Sequence, residues 1–145
     1  MEQPTGSAAV SFEDARAVME AQPFSRLLGT KLTAFRAGHA ELRLVVRPEL
    51  LQQGHFVHGG VLAYAADNAI TFAGGSILGA AVLTKGLVIE YVRPAQGDFL
   101  RAAAHVVTRS GRHAVCRAEI YAVTGNNDML CAVAQGTVSA VRPAP

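Results

Sequence analysis

Charge is what this 145-residue chain has little of: 17% of its residues are charged, the formal net charge is +2, and no basic block interleaves with aromatics. That excludes nucleic acid as an expected partner, because a face that grips a phosphate backbone needs clustered cations. Cysteine is scarce too, with only Cys116 and Cys131. Both fall at alternating apolar positions and read as buried thiols; a chain of this size needs no disulfide, so the cytoplasm is the expected location. The opening stretch MEQPTGSAAVSFEDARAV is acidic and polar, without the basic-then-apolar order of a secretion signal. There is no P-loop, no G-x-S-x-G elbow, no Ser-His-Asp spacing and no internal repeat. Apolar residues, in contrast, make up 50% of the chain. In one domain of this length they can bury roughly two thirds of the surface the unfolded chain exposes.

Residues 1–10 read as a disordered lead, and residues 11–145 as a single domain. Ser11 before SFEDARAVMEAQ has the chemistry of an N-cap, with Glu13 and Asp14 in the first turn, and Pro23 ends that helix. PFSRLLG adds a further turn. From Lys31 the period becomes two, predicting a hairpin that turns at Ala37-Gly38-His39, with Ala40, Leu42, Leu44 and Val46 on one face. Residues 59–78 predict a buried helix of about 30 Å. Four alternating segments follow, separated by turn signals at Pro94–Asp98, Ser110-Gly111 and Thr124–Asp128, a spacing close to that of an antiparallel meander. The class is α+β: five or six antiparallel strands curled around one long helix. The 59–84 run is long enough to span a bilayer, but Asp67 and Asn68 in its middle argue against a membrane role.

Asp67 is the only charged residue among the 26 between His58 and Lys85. A lone carboxylate in apolar surroundings costs several kcal/mol unless it is paired, neutralised or wet. Gly59-Gly60 opens the helix, and the unpaired N–H groups of a helix start can hold an oxygen gaining negative charge; a plain tight turn explains the same pair. Asp67 lies roughly 12 Å further along the axis, too far for both to meet one substrate carbon. Two antiparallel copies of the helix would bring one chain's Gly59 to the other's Asp67. Among the remaining polar groups, His55 and His58 form an H-x-x-H pair without a third ligand, so no metal site is expected. Gln52 and Gln53 suit either a water-orienting or a solvated loop. Thr84 stands at a strand start. Arg109 and Arg112 flank a tight turn, either as a phosphate clasp or as an ordinary hairpin tip.

The stretch from Gln52 through Gly54, HFV, HGG and VLAYAA to Asp67 and NAITFA resembles the hotdog-fold acyl-CoA thioesterases of the PaaI-like (phenylacetate-degradation) type. The match rests on HGG with an Asp nine residues after His58, and extends through TKGLVIEYVRPA to Gly136-Thr137, roughly residues 25–141. The resemblance implies a hotdog fold, a homodimer or dimer of dimers, and hydrolysis of aryl- or medium-chain acyl-CoA. It implies that the Gly59 N–H polarises the thioester carbonyl while Asp67 of the partner chain activates water or attacks directly. Gln52 would position the water, Thr84 would assist, and His58 would shape the turn. Gly60, Tyr64, Phe56, Arg109 and Arg112 are the expected substrate-binding residues. No metal or redox cofactor is implied, since coenzyme A arrives with the substrate. Two rivals stand beside this reading: an acyl-thioester dehydratase or hydratase using His55, and an acyl-CoA-binding dimer without turnover.

Overall fold

In the computed structural model, which describes residues 9–141, Ser11 caps the first helix as expected. Its side chain accepts the Asp14 N–H at 3.1 Å, and α1 runs Phe12–Ala21. Pro23 opens a second helix, α2 (Pro23–Leu28), and Gly29 closes it at φ 77°, a left-handed conformation that glycine adopts freely. Of the expected disordered lead, residues 1–8 lie outside the described residues, while Val10 packs against the core. Strands β1 (Lys31–Arg36) and β2 (His39–Val45) form the hairpin, with the turn confined to Ala37-Gly38. A short 3-10 turn at Pro48–Leu50 and an eight-residue loop lead into α3 (Gly59–Leu78), which has the expected bounds. Strands β3 (Val82–Tyr91), β4 (Phe99–Ser110), β5 (His113–Thr124) and β6 (Asn127–Ala140) follow.

All six strands form one antiparallel sheet in the order β1-β2-β4-β5-β6-β3. The meander spacing holds for β4, β5 and β6 only. Strand β3 does not pair with β4; it lies beyond β6, at the sheet edge. The connection Val92–Asp98 is too long for a tight hairpin, contains Pro94, and is tied across the sheet end. Val92 N–H reaches Cys131 O at 2.9 Å, Ala95 O takes Val57 N–H at 2.9 Å, and Asp98 O takes Val46 N–H at 2.9 Å.

The sheet curls around α3, whose Leu62, Ala65, Ala66, Ala69, Ile70, Phe72, Ala73, Gly74 and Gly75 are buried against it. This helix is long and apolar enough to cross a bilayer, and its apolar sides are used here as the core of the sheet. Burial is not all round. Ala63, Tyr64, Asp67, Asn68 and Thr71 are only half-buried and form an open stripe. Both thiols are buried and free, and burial pushes Cys116 up to about 11.

Strand β3 carries the irregularity that matters most for the site. Its register against β6 shifts between Thr84 and Gly86. This bulge changes the side-chain phase. Val82 and Thr84 face α3 before it, and Leu87 and Ile89 pack inward after it. Leu83 and Val88 are left exposed at 64% and 68% along the free edge.

Adjacent glycines of α3 differ in what surrounds them. A Cβ on Gly74 would come within 2.9 Å of Val138 Cβ, whereas one on Gly75 would meet Val82 at 3.4 Å. Gly74→Ala should destabilise the fold by about 1–3 kcal/mol through overpacking. Gly75→Ala should hold stability within about 1 kcal/mol of wild type, as alanine's helix propensity offsets the contact. Urea unfolding midpoints of the two variants check this contrast.

Candidate active site

The start of α3 is organised by His58. Its Nδ1 accepts the Gly60 N–H at 2.8 Å, so the lone pair is on Nδ1 and the ring proton on Nε2. Its carbonyl accepts Val61 N–H at 2.9 Å and Leu62 N–H at 3.4 Å, and its own N–H is held by Leu50 O at 2.8 Å. In this first turn the Gly59 N–H has no hydrogen-bond partner among the described residues. It is the one donor left at the positive end of a 20-residue helix.

The two glycines are present for different reasons. A Cβ on Gly60 would come within 2.9 Å of His58 Nδ1, so the cap itself requires glycine there. A Cβ on Gly59 would have the ring and hydroxyl of Tyr91 as its nearest neighbours, at 3.5 and 3.6 Å, which is ordinary contact. Nothing among the described residues of this chain demands glycine at 59.

Asp67 answers the question its sequence setting raises. It sits on the open stripe of α3, and Thr84 Oγ1 donates to its Oδ1 at 2.6 Å. The Thr71 hydroxyl lies 2.8 Å from both Thr84 Oγ1 and the Asp67 carbonyl. Each hydroxyl has one proton; with Thr84's committed to the carboxylate, Thr71 supplies the next link of the chain. The second carboxylate oxygen, Oδ2, has no partner among the described residues, and none of their buried side-chain oxygens is left unpaired, so Oδ2 is open to solvent. One oxygen is anchored and the other is unpartnered.

Two hollows flank these groups. A groove of about 360 Å³ beside the helix start is lined by Gln52, Phe56, Gly59, Leu62, Tyr91 and Arg93, among others. Gln52 Oε1 also accepts the Gly54 N–H. On the other side of Asp67, Val18, Phe35, Thr71, Phe72, Gly75 and Val82 line a cavity of about 180 Å³, and Thr71 links this cavity to the carboxylate through Thr84.

The structure thus gathers Gln52, Phe56, His58, Gly59 and Gly60 at one end of α3, and pairs Asp67 with Thr84 further along. Other expected residues lie elsewhere. The Tyr64 hydroxyl is engaged by Ser25, Thr30 and Asn68 at 2.7, 2.8 and 3.2 Å, and its ring meets Phe24 edge-on. Arg109 is at the far end of α3, donating to Ile77 O at 2.8 Å and to Gly111 O at 3.0 Å, where a cation complements the helix dipole. Arg112 is exposed on the same turn. His55 is exposed in the loop at φ 68°. Nothing in the sequence singles out Tyr91 or Arg93. Thr71 carried a signal, being four residues beyond Asp67 and so on its face; Tyr91 became visible only through the bulge in β3.

The glycine pair yields a test. Gly59→Ala should leave stability within about 0.5 kcal/mol of wild type, while Gly60→Ala should displace the His58 ring and cost about 1 kcal/mol, the usual worth of a helix cap. Denaturant midpoints report the stability, and amide exchange in the first turn of α3 reports the lost cap.

Comparison with known proteins adds an independent line. The family model of the thioesterase superfamily matches residues 36–128. The acyl-coenzyme A thioesterase PaaI of Escherichia coli (strain K12) is 30% identical over 97 residues, covering 66% of this chain and 69% of that protein. A thioesterase family protein from Silicibacter pomeroyi superposes with a TM-score of 0.83 at 28% identity, over 86% of this chain and 93% of the other. The structure of the E. coli PaaI protein from the phenylacetic acid degradation operon superposes with a TM-score of 0.81 at 26% identity, over 90% and 92% of the two chains.

Proposed function

The chain belongs to the thioesterase superfamily and has its hotdog fold, and from that premise we propose that it hydrolyses acyl-CoA thioesters to the free acid and coenzyme A. The observation that carries the reading is the state of Asp67: a carboxylate on an open stripe of an apolar helix, one oxygen anchored by Thr84 and the other free. In the proposed reaction Asp67 takes a proton from water as the hydroxyl oxygen attacks the thioester carbon. The carbonyl oxygen gains negative charge and is held by the Gly59 N–H at the helix start. The carbon–sulfur bond then breaks, the electron pair leaves with sulfur, and the proton passes to the thiolate. Thr84 and Thr71 keep the carboxylate aimed, and Gln52 lies in the groove beside Gly59, where it can orient the water.

Gly59 and Asp67 of one chain are separated by roughly 12 Å of helix, so the proposed site is shared between two chains with α3 antiparallel across a two-fold axis. Support for such a dimer comes from β3. It is a ten-residue edge strand with Leu83 and Val88 exposed, an unpaired edge of the kind that adds another strand. The absence of any steric demand for glycine at 59 fits the approach of a group from outside the protomer. The acyl chain is proposed to occupy the cavity beyond Thr71. Its volume of about 180 Å³ suits one aromatic ring or a medium alkyl chain, since a void of roughly 150 Å³ holds benzene.

Asp67→Asn should lower the rate of thiol release from aryl- and medium-chain acyl-CoA by about 10²–10⁴-fold, the usual worth of a general base, with the fold retained by circular dichroism. An unchanged rate in a folded variant contradicts the role given to Asp67. Val88→Lys should separate the dimer in sedimentation experiments by placing a charge on the pairing edge, and thiol release should fall with it.

A further inference from the structure

We propose that Tyr91 is a positioning residue for the Gly59 N–H, acting through the peptide that links Gly59 to Gly60; this rests on the reading of that N–H as the donor to the thioester carbonyl. Two consecutive glycines open α3, and glycine restrains its backbone less than any other residue. A donor that must meet a developing charge needs a fixed direction, because catalysis of this kind depends on groups aimed before the reaction begins. Something outside the glycines has to supply that direction.

The Gly59–Gly60 peptide is held at both ends. Its N–H donates to His58 Nδ1 at 2.8 Å, and its C=O accepts from the Tyr91 hydroxyl at 3.1 Å. The preceding peptide, which carries the Gly59 N–H itself, is tied through His58 O to Val61 and Leu62. Turning the Gly59 N–H away requires rotation about the Gly59 backbone, and rotation there must break one of these ties. The Tyr91 bond also makes the clamp long-range, because it joins the helix start to a strand 32 residues later.

Backbone satisfaction alone does not account for the contact. Gly59 O has an intrahelical donor four residues on, and Tyr91 is 52% exposed, so water could serve its hydroxyl. The ring also lies 3.5 Å from where a Gly59 Cβ would stand and lines the groove beside it. Tyr91 therefore occupies one flank of Gly59, and its hydroxyl is spent on the backbone carbonyl. It reaches this position because the bulge between Thr84 and Gly86 puts odd-numbered residues of the later half of β3 on the side that faces α3.

Tyr91→Phe keeps the ring and removes the hydroxyl. The expected result is a fall of about tenfold in kcat for thiol release, in line with the cost of a misdirected reacting group, with KM within about twofold and the thermal midpoint unchanged. Amide exchange at Gly59 and Gly60 should quicken in the same variant. Adding His58→Ala should cost less than the product of the two single effects, since both residues hold one peptide. A variant with wild-type kcat and unchanged Gly59 and Gly60 exchange overturns the proposal, as does a rise in KM alone, which would make Tyr91 only a wall of the groove. If the wild type released no thiol from any acyl-CoA, the thioesterase reading would fail, and the exchange measurement would still decide whether Tyr91 clamps this peptide.

Discussion

A single sheet can cover only part of the circumference of the helix it curls around, and the residues of α3 are distributed to suit. The covered arc holds Leu62, Ala65, Ala66, Ala69, Ile70 and Ala73, side chains that let β2, β4, β5 and β6 approach closely. The uncovered arc holds Ala63, Tyr64, Asp67, Asn68 and Thr71. Asp67 is accommodated on an apolar helix because it lies on that arc, where one oxygen meets Thr84 and the other meets solvent. At position 66, where Ala66 is fully buried against the sheet, an unpaired carboxylate would be heavily penalised.

Rigid elements support both halves of the proposed chemistry. The Gly59 N–H is directed by a helix start fixed at His58, Leu50 and Tyr91. Asp67 is directed by a hydroxyl chain whose first member, Thr84, is on β3. Strand β3 therefore serves both ends, with Thr84 near its start and Tyr91 at its end. The bulge at Lys85 lets residues of opposite parity face the helix from one strand. The same strand is the free edge on which a second copy is proposed to pair, so the proposed assembly and the site geometry would depend on one element.

Much of this was legible in the sequence, for local reasons. Ser11 as a cap, the bounds of α3, the turn glycines at 38, 111 and 125 with positive φ, and the isolation of Asp67 follow from spacing and from the conformational needs of single residues. Pairing across long separations was not legible. The alternation of β3 predicts a strand but not its neighbour, and the bulge changes the phase on which such a reading depends. Tyr64 and Arg109 were expected near substrate on residue type; their hydroxyl and guanidinium meet groups brought close only by the tertiary fold, Ser25 and Thr30 for one and Ile77 O for the other. Tyr91 shows the converse, an ordinary strand aromatic that the fold carries to the helix start.

The central claim is that one chain's Gly59 and another chain's Asp67 form each site, and mixing two defective chains tests it most directly. Gly59→Ala and Asp67→Asn proteins, unfolded together in equal amounts and refolded, should form mixed dimers in which one of the two sites is intact. Thiol release from acyl-CoA should then recover to roughly a quarter of the wild-type value, given random pairing in a two-fold dimer. A mixture no more active than its two parents would contradict a shared site.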